Sequence, residues 1–161
     1  MGKALAQKLD KKFIEMDPLI EEKAGKSIPR IFNEDGEIAF RELEIEVAKD
    51  ASGKENVVIA CGGGVPLNKI NIDRLSQEAV IVYLTATPEV ILQRTSADSE
   101  ERPLLTVPNP TYAIRNLQDF RRPYYERSAD ITVNTSGLSI DAVADKVISK
   151  LREYEGFDLK K

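Results

Sequence analysis

The chain of 161 residues has no histidine, no tryptophan and a single cysteine, Cys61. Without histidine there is no Ser–His–Asp triad, no imidazole metal ligand and no imidazole acid or base near neutral pH. One cysteine cannot build an intrachain disulfide framework. No apolar run approaches the ~20 residues of a membrane span, and the stretch from Met1 to Leu9 has no signal-peptide core. The expected setting is soluble, reducing and cytoplasmic, with no membrane partner. Positive charge is not in surplus either: Lys plus Arg is 23 against 27 Asp plus Glu, a net charge of -4. General nucleic-acid binding needs an excess of Lys and Arg, so no nucleic-acid partner is expected. The same balance still allows arginines to gather in a pocket for a small anion.

What is present is an ordinary globular mixture, 42% hydrophobic and 31% charged, at a length that fits one domain over 1–161. Helices are expected over 3–9, from Asp17-Pro18 to Gly25, from Ser27 to about Gly36, and over 37–49, where Phe40, Leu43 and Val47 share a face. Phe13-Ile14 reads as a short strand. Val57 to Ala60 and Val80 to Leu84 are continuous apolar runs, as in strands buried on both sides. Thr87-Pro88-Glu89 opens a further helix, Ser96 to Thr111 reads as a long proline-broken lid loop, and a helix over 112–127 is expected to bend at Pro123. Ile131 to Val133 is a last strand, and Ser139 to Glu153 a last helix. Strands alternate with helices, which predicts an α/β fold with a mostly parallel sheet sandwiched by helices. Ligands then bind beyond the carboxyl ends of the strands.

Several groups of residues stand at those ends. Gly62-Gly63-Gly64 follows a strand and suits a sharp turn or a close backbone approach to a ligand. Glu15-Met16-Asp17, if extended, sends both carboxylates one way, toward a hydroxyl, a metal or a proton; Asp17 also fits as a simple N-cap. Arg41 and Glu44, three apart on a helix, either hold a guanidinium fork on an anion or form a solvated surface pair. Arg102-Pro103-Leu104-Leu105 in the loop suits a lid that brings a cation to a phosphoryl group. Arg121-Arg122-Pro123-Tyr124-Tyr125 is either site or solubility. Gly25-Lys26-Ser27 imitates the end of a phosphate-binding loop, but position 20 is Ile20 rather than glycine, and a polar helix precedes it.

Taken together and in order, Leu19-Ile20-Glu21-Glu22, Gly25-Lys26-Ser27-Ile28, Phe40-Arg41-Glu42-Leu43-Glu44, Gly62-Gly63-Gly64, Arg102-Pro103-Leu104-Leu105 and Arg121…Tyr125…Ala129-Asp130 resemble the shikimate kinase family across essentially the whole chain. The resemblance implies a nucleoside-monophosphate-kinase-like P-loop fold and transfer of the γ-phosphoryl of ATP to the shikimate 3-hydroxyl with Mg²⁺, by a monomer. It implies that Asp17 grips the ring hydroxyls and takes the proton, and that Arg41 and Arg121 hold the carboxylate, with Glu44 orienting Arg41. Gly63, flanked by Gly62 and Gly64, meets the substrate through its backbone. By the same resemblance Arg102 reaches the phosphates, Arg94 lies near the adenine, and Glu15 stands near the metal through water. The family opens with a strand and a phosphate-binding loop, and residues like Gly2-Lys3-Ala4-Leu5-Ala6 lie in the helix that follows. The chain is therefore expected to start inside that helix, with the central strand missing between Val57–Ala60 and Val80–Leu84. The alternatives to a kinase are a non-catalytic shikimate-binding relative and another small-molecule kinase of the same fold.

Overall fold

The computed structural model describes residues 1–96, 107–156 and 158. Arg102 and most of the expected lid loop lie outside the described residues. Helix α1 (Gly2–Leu9) leads to β1 (Lys12–Glu15), α2 (Met16–Ala24), α3 (Ile28–Glu34) and α4 (Gly36–Ser52). Strand β2 (Val57–Ala60), a 3₁₀ turn (Val65–Leu67) and α5 (Lys69–Leu75) follow, then β3 (Val82–Thr85) and α6 (Pro88–Ser96). The described chain closes with α7 (Pro110–Ser128), β4 (Ile131–Asn134) and α8 (Ile140–Glu153). No helix among the described residues is long and apolar enough to cross a membrane.

Local chemistry sets several boundaries. Gly25 ends α2 in the left-handed region at φ 68°, where a Cβ would be strained. Asn109 and Ser139 cap α7 and α8 by accepting from the amides of Tyr112 and Ala142. Helix α7 continues through Pro123. Lys26 of the false phosphate-loop motif pairs with Glu34 at 3.0 Å and Asp35 at 2.5 Å, tying α3 to the end of α2.

All strand pairings are parallel, but they come as two halves. β1 pairs with β2 (Phe13 opposite Val58), and β3 pairs with β4 (Tyr83 opposite Thr132). β2 and β3 are not hydrogen-bonded to each other among the described residues. Helices nonetheless cover both faces. One apolar cluster joins Leu5 of α1, Ile131 and Val133 of β4, and Val143, Val147 and Leu151 of α8. The other joins Met16, Ile20, Ile31, Phe40, Val47 and Val65. The middle strands feed the two alternately: Val58 and Val82 pack on the first cluster, Ile59 and Ile81 on the second.

Three expectations need correcting. Val57 to Ala60 is only half-buried along its whole length, not enclosed, and one of its edges has no neighbouring strand among the described residues. The run at Val80 enters the sheet late: the Ile81 amide donates to the Asp130 carboxylate at 2.7 Å, which replaces a ladder bond. Asp17 is neither in an extended segment nor an N-cap. It stands in the first turn of α2, because Met16 turns into the core and is fully buried.

Candidate active site at the glycine loop

β2 delivers the chain into Cys61-Gly62-Gly63-Gly64, which closes at once into the 3₁₀ turn. The Val65 amide donates to the Gly62 carbonyl at 3.1 Å, and the Leu67 amide to the Gly64 carbonyl at 3.0 Å. From α5 the fully buried Asn71 donates its side-chain amide to the Val65 carbonyl at 3.2 Å. The turn is thus held from beneath.

None of the three glycines has positive φ. Backbone freedom is not why they are glycine; space is. A Cβ on Gly62 would lie 2.6 Å from an Asp17 carboxylate oxygen. A Cβ on Gly63 would lie 2.6 Å from Arg121 Nη1 and 3.2 Å from the Tyr125 hydroxyl oxygen. A Cβ on Gly64 would run into Arg41 Nη1. Three successive backbone positions are therefore each overlaid by a different charged side chain. The loop is the floor on which α2, α4 and α7 lay Asp17, Arg41 and Arg121.

Arg41 is clamped on α4. Its Nη1 donates to both oxygens of Glu44 at 3.0 and 3.3 Å, and its Nη2 to Glu37 at 3.2 Å. Glu44 is only 1% exposed, which excludes the solvated surface pair. Burial pushes the Glu44 carboxyl above its ordinary value and nearby Asp17 adds to this, while Arg41 and, less, Arg121 oppose it. Arg121 has a buried Nε with no hydrogen-bond partner among the described residues. Such a group costs stability unless something accepts from it. Cys61 presents surface to solvent, yet its thiol sits against this acidic cluster. Desolvation, then Glu44 and Asp17, raise the thiol to about 11. It is a poor nucleophile at neutral pH.

Other sequence-selected residues stand apart from the loop. Arg122 turns outward and pairs with Asp119 at 2.6 Å. Arg94 on α6 donates from Nη1 to the Thr135 hydroxyl and from Nη2 to the Thr135 carbonyl, both at 2.8 Å. It braces the turn after β4, at the end of the other half-sheet. Glu15 ends β1 and is exposed. No group of three or more Asp, Glu, Cys or His that would hold a metal ion occurs among the described residues. A separate cavity of about 350 Å³ between β3 and α7 is lined by Tyr83, Thr85, Arg115, Gln118 and Arg122. Its two arginines are neutralised by Glu89 and Asp119, and no residue of the glycine loop reaches it.

Two residues of the site have no role of their own in the sequence motifs. Asn71 carries no sequence signal of its place under the loop. Tyr125 does: it stands four residues after Arg121, one turn along the same helix face. Its hydroxyl donates to the Gly63 carbonyl at 2.7 Å.

The chain matches the family model described as "Shikimate kinase" over residues 1–152. It is 44% identical to the shikimate kinase of Caldanaerobacter subterraneus subsp. tengcongensis over 156 residues, 97% of this chain and 90% of the relative. It is 40% identical to that of Vibrio cholerae over 154 residues, 96% of this chain and 88% of the relative. Its fold superposes on the shikimate kinase of Acinetobacter baumannii, solved in complex with shikimate, with a TM-score of 0.87 and 35% identity, covering 97% and 87% of the two chains.

Proposed function

Because the chain belongs to the shikimate kinase family, we propose that the Gly62–Gly64 loop is the floor of its shikimate site and that the residues laid on it bind the phosphoryl acceptor. The family reaction is ATP-dependent phosphorylation of shikimate. The observation that carries the reading is the overlay of one carboxylate and two guanidinium groups on three consecutive glycines.

Shikimate is a ring acid with a carboxylate at one end and hydroxyls at the other. Arg41 and Arg121 offer planar, permanently charged forks that suit a carboxylate bidentately. Glu44 fixes the Arg41 fork in plane, so its rotamer entropy is lost on folding rather than on binding. The unpartnered Nε of Arg121 gains an acceptor when an anion arrives. Asp17 takes the ring hydroxyls; as a carboxylate beside the reacting hydroxyl it orients the nucleophile and accepts its proton. The Gly63 backbone closes the pocket beneath the ring.

On the donor side the chain's residues supply less. Family membership implies ATP as phosphoryl donor. Arg94 is assigned to the adenine side and Arg102 to the phosphates. ATP supplies the transferred group, whose passage relies on positioning and charge neutralisation. Glu15 would stand near Mg²⁺ only through water. A lone exposed carboxylate does not fit a resident Mg²⁺ site, and the ion would come with the nucleotide's phosphates. The reading keeps the protein a cytoplasmic monomer.

Calorimetric titration of the chain with shikimate and with methyl shikimate tests the proposal. Shikimate is expected to bind, and the ester on the order of 100-fold more weakly, because it lacks the charge that both arginines hold. Arg121→Lys is expected to shrink the acid–ester difference. Equal binding of acid and ester, or no binding of either, contradicts the reading.

A further inference from the structure

Tyr125 joins two parts of the molecule that no strand ladder joins. Its hydroxyl donates to the Gly63 carbonyl at the end of the β1–β2 half-sheet. Its ring packs edge-on against Tyr83, centroids 5.1 Å apart at 66°, and Tyr83 lies on β3 in the other half-sheet. Arg121, one turn earlier on α7, overlies the same glycine. One helix therefore supplies Gly63 with both a guanidinium over its Cα and a donor on its carbonyl.

A peptide group is planar and trans, so its C=O and the next N–H point in opposite directions. Fixing the Gly63 carbonyl on Tyr125 therefore fixes the direction of the Gly64 N–H. In a run of three glycines the barrier to turning a peptide plane is low, because no Cβ resists it. The 3₁₀ bonds from the Val65 and Leu67 amides fix the Gly62 and Gly64 carbonyls, on either side of the Gly63 carbonyl. Among the described residues, the Tyr125 phenol is the side chain bonded to the Gly63 carbonyl between them.

We propose that Tyr125 is a positioning residue. Its hydroxyl sets the Gly63–Gly64 peptide plane, and its ring, seated on Tyr83, ties that plane to the half-sheet that carries Arg94's anchor at Thr135. The inference rests on the shikimate reading of the loop for its functional consequence, and on the geometry alone for its structural one.

Tyr125→Phe keeps the ring on Tyr83 and removes only the donor. Tyr124→Phe on the same helix serves as control. The readouts are the backbone amide resonances of Gly62, Gly63 and Gly64 and the shikimate affinity by calorimetry. With Tyr125→Phe the Gly63 and Gly64 resonances are expected to shift or broaden, and the shikimate Kd to rise about 10-fold, as for loss of one positioning hydrogen bond. The melting temperature should stay within a few degrees of the parent. Tyr124→Phe should move none of these. If the resonances move while neither parent nor variant binds shikimate, the positioning role stands and the shikimate reading falls. Unmoved resonances overturn the proposal, whether affinity holds (Tyr125 is then packing) or falls (Tyr125 then acts on the ligand directly). Tyr125→Leu, which loses ring and hydroxyl, should exceed Tyr125→Phe in both readouts; an equal effect contradicts the part assigned to the Tyr83 contact.

Discussion

The floor of the site and the seam between the half-sheets lie a few residues apart and are built in opposite ways. Under the glycine loop, Met16, Ile20, Ile31 and Val65 are fully buried, and Asn71 and Tyr125 hold the loop's carbonyls. Along the seam, all four residues of β2 are half-buried, and Leu84 of β3 is 37% exposed. β2 and β3 each keep one edge that pairs with no strand among the described residues. An apolar side chain contributes to stability in proportion to the surface it removes from water, so the two regions contribute unequally. The glycine loop thus stands on the well-packed side of the molecule.

The largest expected contrast follows from packing. Ile20→Ala empties a site that is fully buried and should cost about 3 kcal/mol by transfer plus cavity. Leu84→Ala removes a chain already partly in water and should cost about 1 kcal/mol. Urea midpoints of the two variants check this, and equal losses would dissolve the distinction between floor and seam.

Gly63→Ala should separate binding from stability. The nearest obstacles to its Cβ are the ends of the Arg121 and Tyr125 side chains, which can swing away. Folding then suffers little, but the guanidinium leaves its place. Shikimate affinity is expected to fall on the order of 100-fold, the scale of an ångström's misplacement. A melting curve beside a titration decides it.

Cys61 reports the charge of the floor. With its thiol at about 11, the thiolate is scarce at pH 8. Iodoacetamide should modify the folded chain about 100-fold more slowly than an ordinary thiol, and the urea-unfolded chain at the ordinary rate.

The smallest effect is Glu44's. A carboxyl raised on folding binds its proton more tightly in the folded state. Its contribution is therefore fully present below the ordinary value of 4.5 and is lost as pH rises through the raised folded value. Glu44→Gln should flatten the stability–pH curve in that window, while weakening shikimate binding because Arg41 loses its charged partner. Denaturant midpoints from pH 4 to 7 show the first effect and calorimetry the second.

How much of this was legible follows from the kind of signal each residue carries. The periodicity of Phe40, Leu43 and Val47 placed α4, because burial of one face leaves a mark every three to four residues. Gly25 marked a helix end because only a left-handed cap favours it. The overlay of charge on Gly62, Gly63 and Gly64 was not readable from residue patterns, because space demanded from across the fold and freedom demanded locally both select glycine; the family resemblance is what grouped Asp17, Arg41 and Arg121 with Gly63. Arg41 and Glu44 read as surface or site alike, since an i,i+3 spacing does not say which face is buried. The apolar runs at Val57 and Val80 promised enclosed strands, because composition reports what a strand can bury and not whether a neighbour stands beside it. The family resemblance supplied the separation of those two strands, which residue patterns alone did not.

Hydrogen–deuterium exchange on the purified chain, with and without saturating shikimate, tests most directly whether the acceptor site is prebuilt beside a weak seam. The expected result is slow exchange in α4 and the 3₁₀ turn without ligand, and fast exchange at the outward amides of β2 and β3. Added shikimate should give further protection from Gly62 to Val65 and leave the seam unchanged. Uniformly fast exchange that shikimate slows everywhere would show a site assembled only by its ligand, and would contradict the account.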